Sequence, residues 1–248
     1  MHAAKTPTTR HSKGWWGVLI TDISIPVTAA MLVEPDLTGD ESLAERAYRD
    51  IRRLIVTLEL PPGAVISEPE LQSQLGVGRT PVREALHRLS NEHLVDVYPR
   101  RGMFVAALDT RDLTAISELR EELEPFAARL AAERRTGEDL AVIDALLDAM
   151  AATGDDPDMR DLIELDQRVH HHVYRCAHNE YVQAVLEQHY MHALRIWFVA
   201  LDKVTHLHQA MAENRDILLA IRDGDADAAA AIMSTHVEGF EADVRRSI

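Results

Sequence analysis

Four polar residues interrupt the apolar faces of predicted helices in the second half of this 248-residue chain: Asp166, His170, Asn214 and His236. On a helical wheel drawn at about 100° per residue, Asp166 lies within such a face and His170 at its edge one turn later. Asn214 and His236 occupy the centres of the apolar faces of two further helices. Because unpaired polar groups are costly inside a helical bundle, these side chains must meet one another, a metal ion or a ligand.

The combination of a carboxylate with imidazoles suits a divalent transition metal of the Zn, Ni or Mn class. Asp166 and His170 are four residues apart, which places them on one helix face, as a chelating pair requires. Since a single buried histidine is more often a hydrogen-bonded core residue, a polar network without a metal ion remains the alternative. The neighbouring His171 and His172 are predicted to point away from the bundle.

A basic residue, Arg120, also falls in the middle of an apolar helix face, and Glu124 follows it one turn later. Two interpretations remain open. The two side chains can form a buried ion pair, or Arg120 can bind the carboxylate of an effector, for which its planar guanidinium is suited. Asn214 is a second candidate for effector binding, through hydrogen bonds.

A different chemistry is indicated between Ser67 and Ala106, where the sequence reads SEPELQSQLGVGRTPVREALHRLSNEHLVDVYPRRGMFVA. The spacing predicts two short helices, a tight turn and a two-stranded wing. The second helix runs from about Arg79 to Asn91, and three of its residues point away from its apolar face: Arg79, Thr80 and Arg83. Such a helix can dock in a major groove, and a basic hairpin tip with Arg100 and Arg101 suits a phosphate or minor-groove contact.

The elements that position these residues are mainly helical. A capped helix is predicted over Ser42–Leu58, and the strand pattern ends at Ala106. Six helices are predicted beyond it, over Thr110–Glu133, Glu138–Ala152, Met159–His178, Tyr181–Leu201, Leu207–Arg222 and Asp225–Arg245. We therefore predict a mainly α protein in three parts: a flexible extension (1–41), a winged helix-turn-helix domain (42–107) and an all-α bundle of about six helices (108–248).

The formal net charge of −15 is unusual for a DNA-binding protein, but it is unevenly distributed. Residues 43–106 carry nine basic and eight acidic side chains, whereas residues 107–248 carry 14 basic and 28 acidic ones. The acidic excess therefore lies away from the predicted DNA face. Cys176 is the only cysteine, which excludes an intrachain disulfide and agrees with a reducing cytoplasm. No apolar run is long enough to predict a membrane span.

The first domain resembles a known family. The stretch GVGRTPVREALHRL followed by PRRG is similar to the winged-helix domain of GntR-type bacterial repressors, over roughly Leu43–Ala106. The resemblance implies that three residues of the second helix contact DNA: Arg79, Thr80 and Arg83. It also implies that Gly102 lets the wing approach the minor groove. Gly78 departs from the family pattern, which usually has Ser or Thr at this position.

The second domain resembles the all-helical ligand-sensing domain of the FadR-like branch of the same family, through DQRVH, Asn179 and ENRDILLAIRDGDADAAAAIMSTH. In metal-binding members, one Asp and three His match Asp166, His170, Asn214 and His236. Asn214 replaces one of those histidines, so three ligands remain and an effector carboxylate can complete the site. His189, on the apolar face of its own helix, is a possible substitute. The resemblance implies an organic-acid effector without naming it.

Together these observations predict a homodimeric, cytoplasmic regulator that is not an enzyme. Its first domain binds a double-stranded operator with two-fold symmetry, and a small carboxylate bound in the helical domain, near a divalent metal, changes operator affinity. A metal-dependent enzyme is one alternative, although the sequence shows no nucleophile motif. An effector-blind DNA-binding protein is the other, although polar residues directed into the helical core argue against it.

Overall fold

The computed structural model describes residues 41–154, 157–200 and 207–247. The predicted extension over residues 1–41 lies outside the described residues, apart from Glu41. Within these ranges, no helix combines the length and apolar character that crossing a membrane requires.

The first domain combines helices with a small sheet, in the order α1 (Leu43–Val56), β1 (Val65–Ile66), α2 (Glu68–Leu75), α3 (Arg79–Asn91), β2 (Val95–Tyr98) and β3 (Gly102–Val105). The central strand is β3, which pairs antiparallel with both β1 and β2. Strands β2 and β3 form the wing, so the predicted winged helix-turn-helix fold is confirmed.

Strand β1 was not predicted. Val65 pairs with Phe104 and Ile66 with Met103, which attaches the base of the wing to the segment before α2. Two residues are too few to show the alternation of a strand in the sequence. Helix α1 also ends two residues earlier than predicted, at Val56, and Leu58 then adopts a positive φ of 64°.

Serine side chains cap α1, as predicted, and also α2. Ser42 and Ser67 each accept a hydrogen bond from the backbone N–H three residues later, at 3.1 and 3.4 Å. Gly76 ends α2 in the left-handed conformation, with φ 63°. Gly78 precedes α3 without a side-chain cap, which is the structural consequence of its departure from the family pattern.

The described part of the second domain consists of helices and their connections: α4 (Thr110–Arg134), α5 (Gly137–Ala152), α6 (Met159–Cys176), α7 (Glu180–Ala200), α8 (Leu207–Asp223) and α9 (Ala226–Ser247). The predicted bundle of about six helices is confirmed, with ends within two residues of prediction. Helix α4 packs mainly against α9, and α8 packs against the same helix. Thr136 and Asp139 form a capping box at the start of α5.

Each domain has its own apolar core, and α7 joins them. One core comprises residues of the first domain between Ala47 and Val105, and the other is built from the helical bundle. His192 Nε2 lies 2.8 Å from the carbonyl oxygen of Glu92, and Arg195 Nη2 donates to the carbonyl oxygen of Ala106 at 2.5 Å. Burial lowers the pKa of His192 to about 4, so the neutral ring donates this hydrogen bond. The domain boundary at residue 107 stays a prediction.

Candidate functional sites

Helix α3 presents its predicted DNA-binding residues to solvent. The side chain of Arg79 is 67% exposed and that of Arg83 is 49% exposed, and Thr80 is also exposed. The opposite face of the helix is buried through Val82, Ala85, Leu86 and Leu89. The helix is therefore anchored on one side and free to enter a groove on the other.

Glu68, at the start of α2, holds both arginines of α3. Its two carboxylate oxygens accept hydrogen bonds from Arg83 Nε at 2.9 and 3.1 Å, and Arg79 Nε lies 3.7 Å from one of them. Because this contact uses Nε, the terminal Nη groups of Arg83 can still reach a base edge or a phosphate. Glu68 thus orients the guanidinium without occupying its outer edge.

The tip of the wing is basic and exposed. Arg100 has a positive φ of 64° and Gly102 of 100°, which together turn the chain between β2 and β3. The backbone N–H of Arg101 donates to the carbonyl oxygen of Tyr98 at 3.1 Å and closes the turn. The tip therefore places Arg100 and Arg101 beyond the end of the sheet, where phosphate or minor-groove contact is possible.

The helical domain brings three of the predicted metal ligands together: Asp166, His170 and His236. All three are buried, and one ligand atom from each lies within 4.8 Å of the others. The Nε2 atoms of the two histidines are 3.0 Å apart, and they lie 3.7 and 3.9 Å from Asp166 Oδ1. A carboxylate and two imidazoles from α6 and α9 thus converge on one point.

The outer ring nitrogens of both histidines face carboxylates. His170 Nδ1 lies 2.8 Å from Glu124 Oε2, and His236 Nδ1 lies 3.0 Å from Glu213 Oε2. An N–H at each Nδ1 would leave the Nε2 lone pairs directed at each other, which is unfavourable unless a proton or a cation lies between them. A carboxylate behind a histidine is the usual outer shell of a metal ligand.

Asn214 joins this group through hydrogen bonds. Its Nδ2 donates to Asp166 Oδ1 at 2.6 Å, and the hydroxyl of Tyr190 donates to Asp166 Oδ2, also at 2.6 Å. Among the described residues, the buried Oδ1 of Asn214 has no hydrogen-bond partner. Asn214 therefore orients the carboxylate and retains one acceptor for a further group.

Arg120 and Glu124 form the buried ion pair that one interpretation predicted. Burial alone would raise the pKa of Glu124, but the Arg120 guanidinium and His170 hold it well below its usual range. Arg120 Nη1 is buried and has no hydrogen-bond partner among the described residues. The Arg120 side chain also lines a cavity of about 170 Å³. The other residues of the cavity wall are Asp166, His170, Trp197, Gln209, Ala210, Glu213, His236, Gly239, Phe240 and Ala242.

Two histidines lie elsewhere than the sequence suggested. His189 does not reach the metal-ligand group, because its Nδ1 lies 2.7 Å from the carbonyl oxygen of Val185 and its ring faces His192. Tyr190, the next residue on the helix, takes the inward position instead. His172 was predicted to point outward, but it is buried because α5 covers that side of α6, and burial lowers its pKa.

Comparisons with known proteins agree with both halves of this description. Residues 43–105 match the family described as "Bacterial regulatory proteins, gntR family", and residues 115–239 match the FCD domain. An HTH-type transcriptional regulator in an unstable DNA locus of Streptomyces ambofaciens is 33% identical, over 80% of this chain and 84% of its own length.

Two further comparisons extend this result. The HTH-type transcriptional repressor RspR of Escherichia coli K12 is 26% identical, over 87% of this chain and 95% of its own length. The structure of E. coli McbR/YncC superposes with a TM-score of 0.73 at 24% identity, covering 83% of this chain and 98% of its own, which shows the shared fold.

Proposed function

Because this chain belongs to the GntR family of bacterial regulatory proteins and carries an FCD domain, we propose that a small carboxylate bound beside a divalent metal ion controls its operator affinity. The chain is a DNA-binding transcriptional regulator with an effector-binding domain. The proposal concerns the ligand of that domain, the residues that hold it and the route by which binding reaches the DNA.

The contact between the two buried histidines carries the metal proposal. Two Nε2 atoms at 3.0 Å, each on a ring whose Nδ1 faces a carboxylate, form a site that favours a cation between them. Asp166, His170 and His236 would hold a divalent ion of the Zn, Ni or Mn class, since all three metals accept nitrogen and oxygen ligands. When bound, the ion would supply a Lewis-acid anchor for one effector oxygen.

The effector proposal depends on an unpaired hydrogen-bond donor in the cavity wall. Arg120 Nη1 has no partner among the described residues, and the side chain lies beside Asp166 and His170 in the cavity lining. A carboxylate entering here would accept a hydrogen bond from Arg120. Asn214 does not line the cavity, so it would act through Asp166, whose carboxylate it orients. The 170 Å³ volume suits a small organic acid.

Helix α7 offers a route from this cavity to the DNA-binding domain. Tyr190 donates to Asp166 on one side, and two residues later His192 contacts the carbonyl oxygen of Glu92, directly after α3. Arg195 holds the carbonyl oxygen of Ala106, directly after β3. A shift of Asp166 on effector binding would therefore move the helix that holds the ends of both the recognition helix and the wing.

A ligand screen tests the proposed function. With an operator selected from genomic DNA, we expect at least one of a panel of small mono- and dicarboxylates, with Zn²⁺, to change operator affinity by roughly 5- to 150-fold. Fluorescence anisotropy measures the affinity with and without each acid. Arg120→Lys keeps the positive charge but loses the planar guanidinium, so it should weaken the response.

The route through α7 has its own matched controls in the same assay. Tyr190→Phe removes the bond to Asp166 and should abolish the response while leaving the ligand-free operator affinity unchanged. Tyr174→Phe removes a hydroxyl that lies 3.2 Å from His170 Nδ1 but is carried by α6, so it should retain the response. If no acid changes operator affinity, the carboxylate proposal fails, and conversion of an acid to product would indicate an enzyme.

We further propose that the protein acts as a homodimer, because an operator with two-fold symmetry requires two recognition helices. We expect sedimentation equilibrium of the full chain to give about twice the monomer mass of 27.8 kDa at micromolar concentration. A strict monomer, both free and on a symmetric operator, would contradict this proposal.

A further inference from the structure

A second group of metal-ligating side chains lies where the start of α5 meets the end of α6. It consists of Asp139, His172 and Cys176, and one ligand atom from each lies within 4.8 Å of the others. Cys176 Sγ is 3.1 Å from His172 Nε2. His172 and Cys176 are buried, and the Asp139 side chain is only 14% exposed.

We propose that Asp139, His172 and Cys176 form a second metal site, with preference for a thiophilic divalent ion such as Zn²⁺. The inference does not rest on the proposed function, because its ligands come from α5 and from a different face of α6 than His170. It also differs in chemistry, since a sulfur ligand replaces one of the two imidazoles of the first site.

The three side chains match what a zinc ion binds. Thiolate, imidazole and carboxylate are its three usual protein ligands, at about 2.3 Å for sulfur and about 2.0–2.2 Å for nitrogen and oxygen. Ligand atoms around one tetrahedral ion therefore lie roughly 3.2–3.7 Å apart. The separation of 3.1 Å between Sγ and Nε2 is close to this range, so small side-chain rotations would bring the group onto one ion.

Neighbouring residues hold the carboxylate in place. Asp139 Oδ2 accepts hydrogen bonds from the backbone N–H and the hydroxyl of Thr136, and it lies 2.8 Å from His178 Nε2. Hydrogen bonds of this kind orient a carboxylate ligand from the outer shell. Because all these contacts involve Oδ2, the other oxygen of Asp139 is the one we assign to the ion.

Of the three proposed ligands, Asp139 is the one that reaches the protein surface. Asp139 lines an open depression of about 550 Å³, into which Glu138 and Glu180 add negative charge and Arg175 adds one positive charge. The acidic excess favours a cation at the entrance. The alternative is a purely hydrogen-bonded group, in which His172 Nε2 donates to the carbonyl oxygen of Asp139 at 3.1 Å. Cobalt titration distinguishes a metal site from this hydrogen-bonded group.

A metal ion here would clamp α5 to α6. His172 lies only two residues after His170, so the clamp would fix the helix that carries one ligand of the proposed effector site. The role we assign to the second ion is therefore structural support of α6, because a metal ion that binds only the folded chain contributes to folding stability.

Cobalt titration provides a readout that the first site cannot produce. Co²⁺ substitutes for Zn²⁺, and a cobalt ion bound to a thiolate has an intense near-ultraviolet charge-transfer band. Cys176 is the only cysteine in the chain, so this band would report on that residue alone. We expect the band of the wild-type protein to reach its full intensity when one Co²⁺ is bound at this site. The Cys176→Ser variant should lack the band.

Three further variants make the test specific. His172→Ala and Asp139→Asn each remove a ligand. Both should weaken cobalt binding at least tenfold, as measured by the intensity of the band. His170→Ala removes a ligand of the first site and should leave the band intact. Loss of metal binding at one site can therefore be distinguished from loss at the other. A band that is absent at saturating Co²⁺, or that persists unchanged in both His172→Ala and Asp139→Asn, would overturn the proposal.

Discussion

Replacing Arg83 with alanine should weaken operator binding by roughly 5- to 150-fold, because a base contact contributes about 1–3 kcal/mol. Arg83 is half exposed on α3, and Glu68 holds its Nε so that the outer edge of the guanidinium faces away from the protein. The effect should come mainly from the lost DNA contact, since an exposed ion pair contributes little to stability. Fluorescence anisotropy at fixed salt measures the change.

Arg88 provides the matched control for this experiment. It lies on the same helix with the same side-chain exposure of 49%, but it pairs with Glu45 and stacks on the ring of Tyr48 at 3.5 Å. Arg88→Ala should therefore leave operator affinity nearly unchanged.

The salt dependence of the same affinities distinguishes two kinds of contact. Loss of a phosphate contact lowers the salt slope by about one and affects all sequences, whereas loss of a base contact relaxes specificity at one position. Unchanged affinity in both Arg79→Ala and Arg83→Ala, with the fold intact by circular dichroism, would contradict the assignment of α3 as the reading helix.

The sequence predicted this DNA face because each of its features is local. The capping serines, the left-handed Gly76 and the apolar spacing of α3 all act within a few residues of one another. Strand β1 escaped prediction because its two residues become a strand only through pairing with β3, which lies almost 40 residues further along the chain. Local patterns therefore determine the helices, whereas distant pairing determines the third strand.

The buried polar group around Asp166 also contains residues that local patterns predict and residues that only the packing of distant helices reveals. Asp166, Asn214 and His236 were found because a polar residue on an apolar helix face is unusual in itself. Tyr190 was missed because an aromatic residue on such a face resembles ordinary core, and its bond to Asp166 depends on how α7 packs against α6. His172 was misplaced because periodicity identifies one apolar face and cannot show that a second helix covers another.

The largest effect on metal binding should come from His170. His170→Ala removes one of the three proposed ligands and leaves a buried carboxylate with a single imidazole, so we expect it to abolish binding at this site. His189→Ala is the control, because His189 contacts the carbonyl oxygen of Val185 and should not affect metal affinity. Both are measured in a Cys176→Ser background, which removes the thiolate ligand of the second proposed site.

Asn214→His should change metal affinity in the opposite direction. The Asn214 side chain already reaches Asp166 Oδ1 at 2.6 Å, so an imidazole at this position approaches the point where the other ligands converge. A third imidazole adds a direct ligand where the wild-type chain offers only a hydrogen bond, and we expect at least tenfold tighter Zn²⁺ or Ni²⁺ binding. Asn214→Ala removes the hydrogen bond without adding a ligand, so it should bind no more tightly than the wild type.

Elemental analysis of protein purified without chelator, followed by calorimetric metal titration of each variant, measures these differences. The decisive comparison is between metal binding by the wild type and by Asn214→His. If the wild type binds no metal and Asn214→His gains none while both remain folded, a hydrogen bond rather than a metal ion joins His170 and His236. The effector would then be bound by Arg120 and its neighbours alone, because the carboxylate and the two imidazoles would form only a hydrogen-bonded wall of the cavity.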